Sequence, residues 1–238
     1  VLVLLWRARA LCSRVSGLVY GGAVGMGFAV AENFCYFVST YWQDGLVAWE
    51  SNLLIRTLFA AWMHVAASAA CGLWPGLAIE TPLPAWKQRL APVLGLGTAW
   101  VIHTLWNSGM LLAEALGEGS FTYHLFAAVP LVAALLLLLL ERGLRAEAEG
   151  ALGELRLLAA EGLIPADEAP IVAAYRARRG AAWLPPSLRP RRDLYTRALW
   201  RLCQCRRASR ASSDPRRALA FAAEADALRA EIKALRGA

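Results

Sequence analysis

Long apolar runs recur at four places along this chain, and a few polar groups interrupt them. A bilayer crossing needs about 20 mostly apolar residues. Ser16–Val38, Leu54–Ile79, Ala91–Leu116 and Leu125–Leu140 read as four full spans, and Val1–Trp6 as the remnant of another. The predicted fold class is all-α: a polytopic transmembrane helix bundle over residues 1–142, then a short, basic, helical cytosolic tail over residues 143–238. In the first full span Gly17, Gly21 and Gly25 recur at i, i+4 spacing, with Gly22 and Gly27 beside them. Small residues so spaced let membrane helices approach closely.

The loops between these runs differ in charge. Arg7, Arg9 and Arg14 mark the first loop, and Lys87 and Arg89 the loop at 80–90. The loops at 39–53 and 117–124 contain no Lys or Arg. Basic loops stay on the cytoplasmic side, so the sides alternate and the C-terminus falls inside. Arg56 is the exception, placed near the outer end of its helix, where it can snorkel or pair with Asp44 or Glu50. Residues 1–140 hold six basic and six acidic residues, so residues 141–238 supply the whole net charge of +7. A basic tail behind a membrane domain fits placement beside anionic lipid. No nucleic-acid partner is expected, because the arginines are dispersed among alanine-rich helices without a recognised motif.

The tail reads as short helices. One covers Leu152–Glu161 and ends at Gly162; a second starts at Pro165 and runs to Gly180. A proline-rich linker occupies 184–190, and a third helix covers Leu194–Arg207. Asp214 caps a fourth with Pro215 in its first turn, and its apolar face is Leu219, Ala223, Ala227 and Leu228. No catalytic grouping occurs there, so the tail reads as a solvated accessory or regulatory segment.

Composition sharpens this picture. With 58% hydrophobic residues and a mean hydropathy of +0.43, the chain is too apolar for an ordinary soluble domain. Five scattered cysteines make no disulfide framework. Cys203 and Cys205 stand too close for the usual zinc pair and read as unpaired thiols or an acylation site.

The candidate chemistry lies inside the apolar runs, where ionisable groups are costly and mark function. Glu32 with Asn33, His64, and His103 with Asn107 are the interruptions. Glu32 and Tyr36 share a helix face, as do His64 and Ser68, and His103 and Asn107. At 1.5 Å per residue, Glu32 lies roughly 9 Å, His64 roughly 15 Å and Asn107 roughly 13 Å from the outer ends of their helices. These depths allow one site in the outer half of a membrane. Such a site suits peptide hydrolysis: Glu or His deprotonates water, and Asn and protonated His stabilise the oxyanion. Two imidazoles and a carboxylate also match a catalytic zinc shell of Glu32, His64 and His103. The residues alone leave both mechanisms open. They also allow a non-catalytic transporter or proton-relay component, since buried Glu and His chains mark ion pathways. A scaffold that recruits partners through its tail is a third reading.

Gly25-Met-Gly-Phe-Ala-Val-Ala-Glu32-Asn33-Phe-Cys-Tyr36 resembles the G-x-G-F-A-x-x-E-N-x-x-Y segment of the PrsW-type intramembrane proteases. Arg56 followed by Met63-His64 and Ser68 to Gly72 resembles that family's histidine helix, and His103-Thr-Leu-Trp106-Asn107 its H-x-x-W-N segment. The ordered match runs from about Gly17 to Asn107. The resemblance implies a protease of the bacterial cytoplasmic membrane that cuts membrane-anchored substrates, such as anti-sigma factors, and kinship with the CAAX prenyl protease and Abi group. It implies Glu32, His64, His103 and Asn107 as catalytic residues, with Asn33, Tyr36, Ser68 and Trp106 in support. The family also carries E-E-x-x-K on the preceding helix. No adjacent Glu pair occurs here, which places that motif upstream of Val1 and implies that part of the active site lies outside these residues.

Overall fold

The computed structural model describes residues 1–7, 11–117, 119–174, 180 and 182–237. Arg9 of the expected basic loop lies outside them. The described residues are helical: α1 (Leu2–Arg7), α2 (Arg14–Ile55), a π-helical segment (Arg56–Ala60), α3 (Ala61–Glu80), α4 (Ala85–Leu116), α5 (Gly119–Ala160), α6 (Glu168–Ala173), a 3₁₀ turn (Arg189–Arg191), α7 (Arg192–Ala211) and α8 (Pro215–Gly237).

The all-α class is observed, but four full spans plus a remnant are not. Among the described residues, two stretches are long and apolar enough to cross a membrane: Arg14–Glu80 and Phe126–Ala160. The reasons are local. The expected loop at 39–53 is helical on both sides of Gly45, which joins the first two expected spans into one stretch. In α4, His103, Thr104, Asn107 and Ser108 dilute the apolar run. Val1–Trp6 contributes only to the six-residue α1. The expected loop at 117–124 is already helix from Gly119 onward.

Two compact units emerge: residues 1–78 with 86–141, and residues 79–85 with 142–238. In the first, Ser13 and Ser16 form a reciprocal capping box at the start of α2. Gly45 has φ 80°, a region that favours glycine, and the chain turns back there. The returning α3 then runs antiparallel along α2. Gly17 faces the Gly72 carbonyl, Gly21 that of Ser68, and Gly25 that of His64, four residues up one helix for four down the other. A Cβ at Gly17, Gly21 or Gly25 would collide with partner backbone. The glycines therefore set how closely the histidine helix approaches the glutamate helix. Large apolar side chains point outward instead: Phe34, Trp42, Val93, Trp100 and Leu131 are all exposed. That apolar exterior suits lipid and not water.

The second unit is built the other way round. Leu155, Leu158, Val172, Tyr195, Leu199, Leu202, Phe221 and Ile232 are fully buried. Gly162, with φ 73°, closes α5 in a Schellman turn, its N–H donating to Ala159 and that of Leu163 to Leu158. Of the expected helix from Pro165 to Gly180, α6 forms, and residues 175–179 lie outside the described set. The proline-rich segment is packed and not a loose linker, because Leu184 and Leu188 are both buried. Asp214 caps α8 by accepting from the Arg216 N–H at 3.0 Å. The buried face of α8 is Phe221, Ala225, Ile232 and Leu235, whereas the expected Leu219 is exposed. Cys203 and Cys205 sit in this core, closed to acylation as folded, and burial pushes the Cys203 thiol up to about 12.

Candidate active site

Within the first unit, the polar groups of α2 and α3 meet. His64 Nε2 lies 2.9 Å from Glu32 Oε2. A carboxylate only accepts, so this nitrogen carries the proton. Arg56 Nη2 donates to the same Oε2 at 2.5 Å, and Arg56 Nε donates to Asn33 Oδ1 at 2.9 Å. Asn33 Nδ2 in turn donates to the Arg56 carbonyl at 3.4 Å. The Arg56 guanidinium also lies 3.5 Å from the centre of the Tyr36 ring. Arg56 thus pairs with Glu32, not with Asp44 or Glu50.

The backbone explains why one carboxylate reaches both cations. In a regular helix, positions eight apart are off-register, since two turns take about 7 residues. The π segment Arg56–Ala60 adds about one residue to a turn. That extra residue brings Arg56 and His64 onto one face, opposite Glu32.

α4 supplies the second imidazole. The His64 and His103 ring centres are 5.1 Å apart, and Phe28 lies 5.1 Å from His64 and 6.5 Å from His103. Phe28, the aromatic of the Gly25–Tyr36 segment, lies one turn before Glu32 and shares its face by i, i+4 spacing. His103 makes ring contacts but no hydrogen bond among the described residues, and Asn107, one turn on, is exposed and likewise unengaged. Asn107 is therefore not brought into the Glu32 network. Trp106 is buried with Ala60 and Val129, against Phe59, Met63, Met110 and Phe126, so it packs the interior. Ser68 abuts Gly25 one turn from His64. Phe34, next to Asn33, is exposed.

As donor types, Glu32, His64 and His103 suit zinc. Among the described residues no three His, Cys, Asp or Glu side chains are already grouped as a metal site. Glu32 Oε2 is already shared between Arg56 and His64. Its Oε1 accepts no bond among the described residues, and the side chain keeps 26% exposure.

No curated protein and no solved structure matches the chain. The family model of the PrsW family intramembrane metalloproteases matches residues 1–135. With the two apolar stretches it supports a membrane-associated location. The match covers more than half of the sequence and includes every group gathered around Glu32, so the chain belongs to the PrsW family of intramembrane metalloproteases.

Proposed function

We propose that the protein is an intramembrane endopeptidase that hydrolyses peptide bonds of membrane-anchored protein substrates, anti-sigma-factor-like in kind. It sits in the bacterial cytoplasmic membrane with its C-terminal unit in the cytosol. Family membership supports protease activity in general. The observation that carries the site assignment is the shared Glu32 oxygen: His64 and Arg56 hold Oε2 and leave Oε1 free.

In this reading Glu32 Oε1 takes a proton from water, and the hydroxide attacks the scissile carbonyl carbon. His103 and Asn107, both unengaged on one face of α4, donate to the oxyanion. The C–N bond then breaks as the proton that Glu32 took from water passes to the leaving amine. Zinc held by Glu32, His64 and His103 is the competing mechanism. The steps above do not pass through it.

Cleavage of a tethered membrane substrate by the full protein in proteoliposomes tests the reading. Glu32→Gln, His64→Ala and His103→Ala should each lower cleavage about 10²–10⁴-fold with insertion intact. Full cleavage by any of the three overturns the assignment. Chelator inhibition reversed by Zn²⁺ selects the metal mechanism; unchanged cleavage in chelator selects the hydrogen-bonded one. Proton flux without any proteolysis would make the protein a relay component instead.

A further inference from the structure

We propose that Arg56 is a positioning residue, a fork that fixes the orientation of the Glu32 carboxylate. The inference rests on the protease reading above. In the sequence Arg56 stands 24 residues from Glu32, a charge at the head of the segment that resembles the family's histidine helix, with no partner assigned on the Glu32 helix. Folding gives its side-chain hydrogen bonds to the site. Nη2 holds Glu32 Oε2, Nε holds Asn33 Oδ1, and its carbonyl accepts from Asn33 Nδ2. The guanidinium face stacks on Tyr36 at 3.5 Å. Its side chain is only 15% exposed, so it does not act as a lipid-interface anchor.

The geometry divides the labour within one carboxylate. Two donors on Oε2 remove the freedom of the Glu32 carboxylate to rotate, and this aims Oε1 at one place. Arginine suits the task because its planar fork binds two acceptors in fixed directions, whereas lysine offers a point charge. The π segment is part of the device, since it turns Arg56 onto the His64 face. Asn33 and Tyr36 act through Arg56: one holds its edge, the other its face.

Kinetics in proteoliposomes with a membrane-tethered peptide substrate test this. Arg56→Gln should lower kcat about 100-fold with KM nearly unchanged, since misplacing a catalytic group by about 1 Å costs that much. Guanidinium ion added to Arg56→Gly should restore part of the rate, and Arg56→Lys should recover less than a tenth of it. Tyr36→Leu, which leaves every hydrogen bond in place, should cost a few-fold in kcat. Wild-type kcat in Arg56→Gln overturns the inference, as does a loss that appears in KM alone. Loss of membrane insertion in Arg56→Gly that guanidinium cannot reverse makes the residue merely structural and also overturns it. Glu32→Gln separates the two levels. If that variant is inactive while Arg56→Gln is not, the protease reading stands and the fork falls; if Glu32→Gln is fully active, the reading itself falls.

Discussion

The two units solve the packing problem in opposite ways. In the first, small and polar groups line the contact between α2 and α3 and many large apolar side chains face outward; in the second, leucines and aromatics fill the core. Lipid is as apolar as leucine, so burial of leucine supplies no driving force between helices there. Close backbone approach and polar contacts must hold the first unit, and α2 and α3 show both. The second unit has the hydrophobic effect available and uses it.

The sharpest way to break the comparison is a glycine substitution in the first unit. Gly21→Leu drives a side chain into the Ser68 backbone, which cannot yield as a flexible side chain does. It should cost about 3 kcal/mol and abolish cleavage, while amide exchange in α7 and α8 stays unchanged. Normal cleavage would show that the α2–α3 approach is not needed. The mirror experiment is Leu199→Ala in the tail core, where the side chain is fully buried. It should destabilise the second unit by about 2–5 kcal/mol, seen as faster exchange in α7 and α8, with residual cleavage retained.

A smaller effect tests the polar clasp of the second unit. Tyr195 donates to Glu168 Oε2 at 2.6 Å, and Arg236 Nη1 reaches both Glu168 oxygens at 3.0 Å. Burial is the main reason the Tyr195 phenol titrates above its usual range, with Glu168 adding to it. Tyr195→Phe should cost about 1–2 kcal/mol in thermal unfolding of the tail. The smallest effect is a pH dependence. Arg206 chiefly, with Arg229, holds the Glu161 carboxyl below its ordinary value of 4.5. A carboxyl depressed on folding stabilises above that ordinary value and loses its effect as pH falls through the lower, folded value. Tail stability should therefore weaken on acidification below about pH 4.5, modestly because the group is exposed, and Glu161→Gln should flatten that limb.

Much of the site was legible because each motif is local. Glu32 with Tyr36, and His103 with Asn107, share faces by i, i+4 spacing alone, and only one ordering along the chain links them to His64. Arg56 was misread because its partner lies on the neighbouring helix and its register depends on a π segment that no periodicity announces. The four-span expectation failed for a related reason. Hydropathy sees apolar runs, but the residues at 39–53 also form helix, and only the φ of Gly45 marks the turn. In the tail, the prolines at 184–190 suggested a linker, yet Leu184 and Leu188 between them found a core.

By itself the sequence determined the helical class, the apolar character of the first 140 residues, and which titratable groups had to be sheltered from lipid. The helix period and the cost of burying charge are properties of short segments. Only the tertiary structure decided which groups touch: Arg56 and His64 on one carboxylate oxygen, Trp106 in the packing and Asn107 outside the network. Those choices turn on the fold-back at Gly45 and the extra residue at Arg56–Ala60, which set register between distant segments.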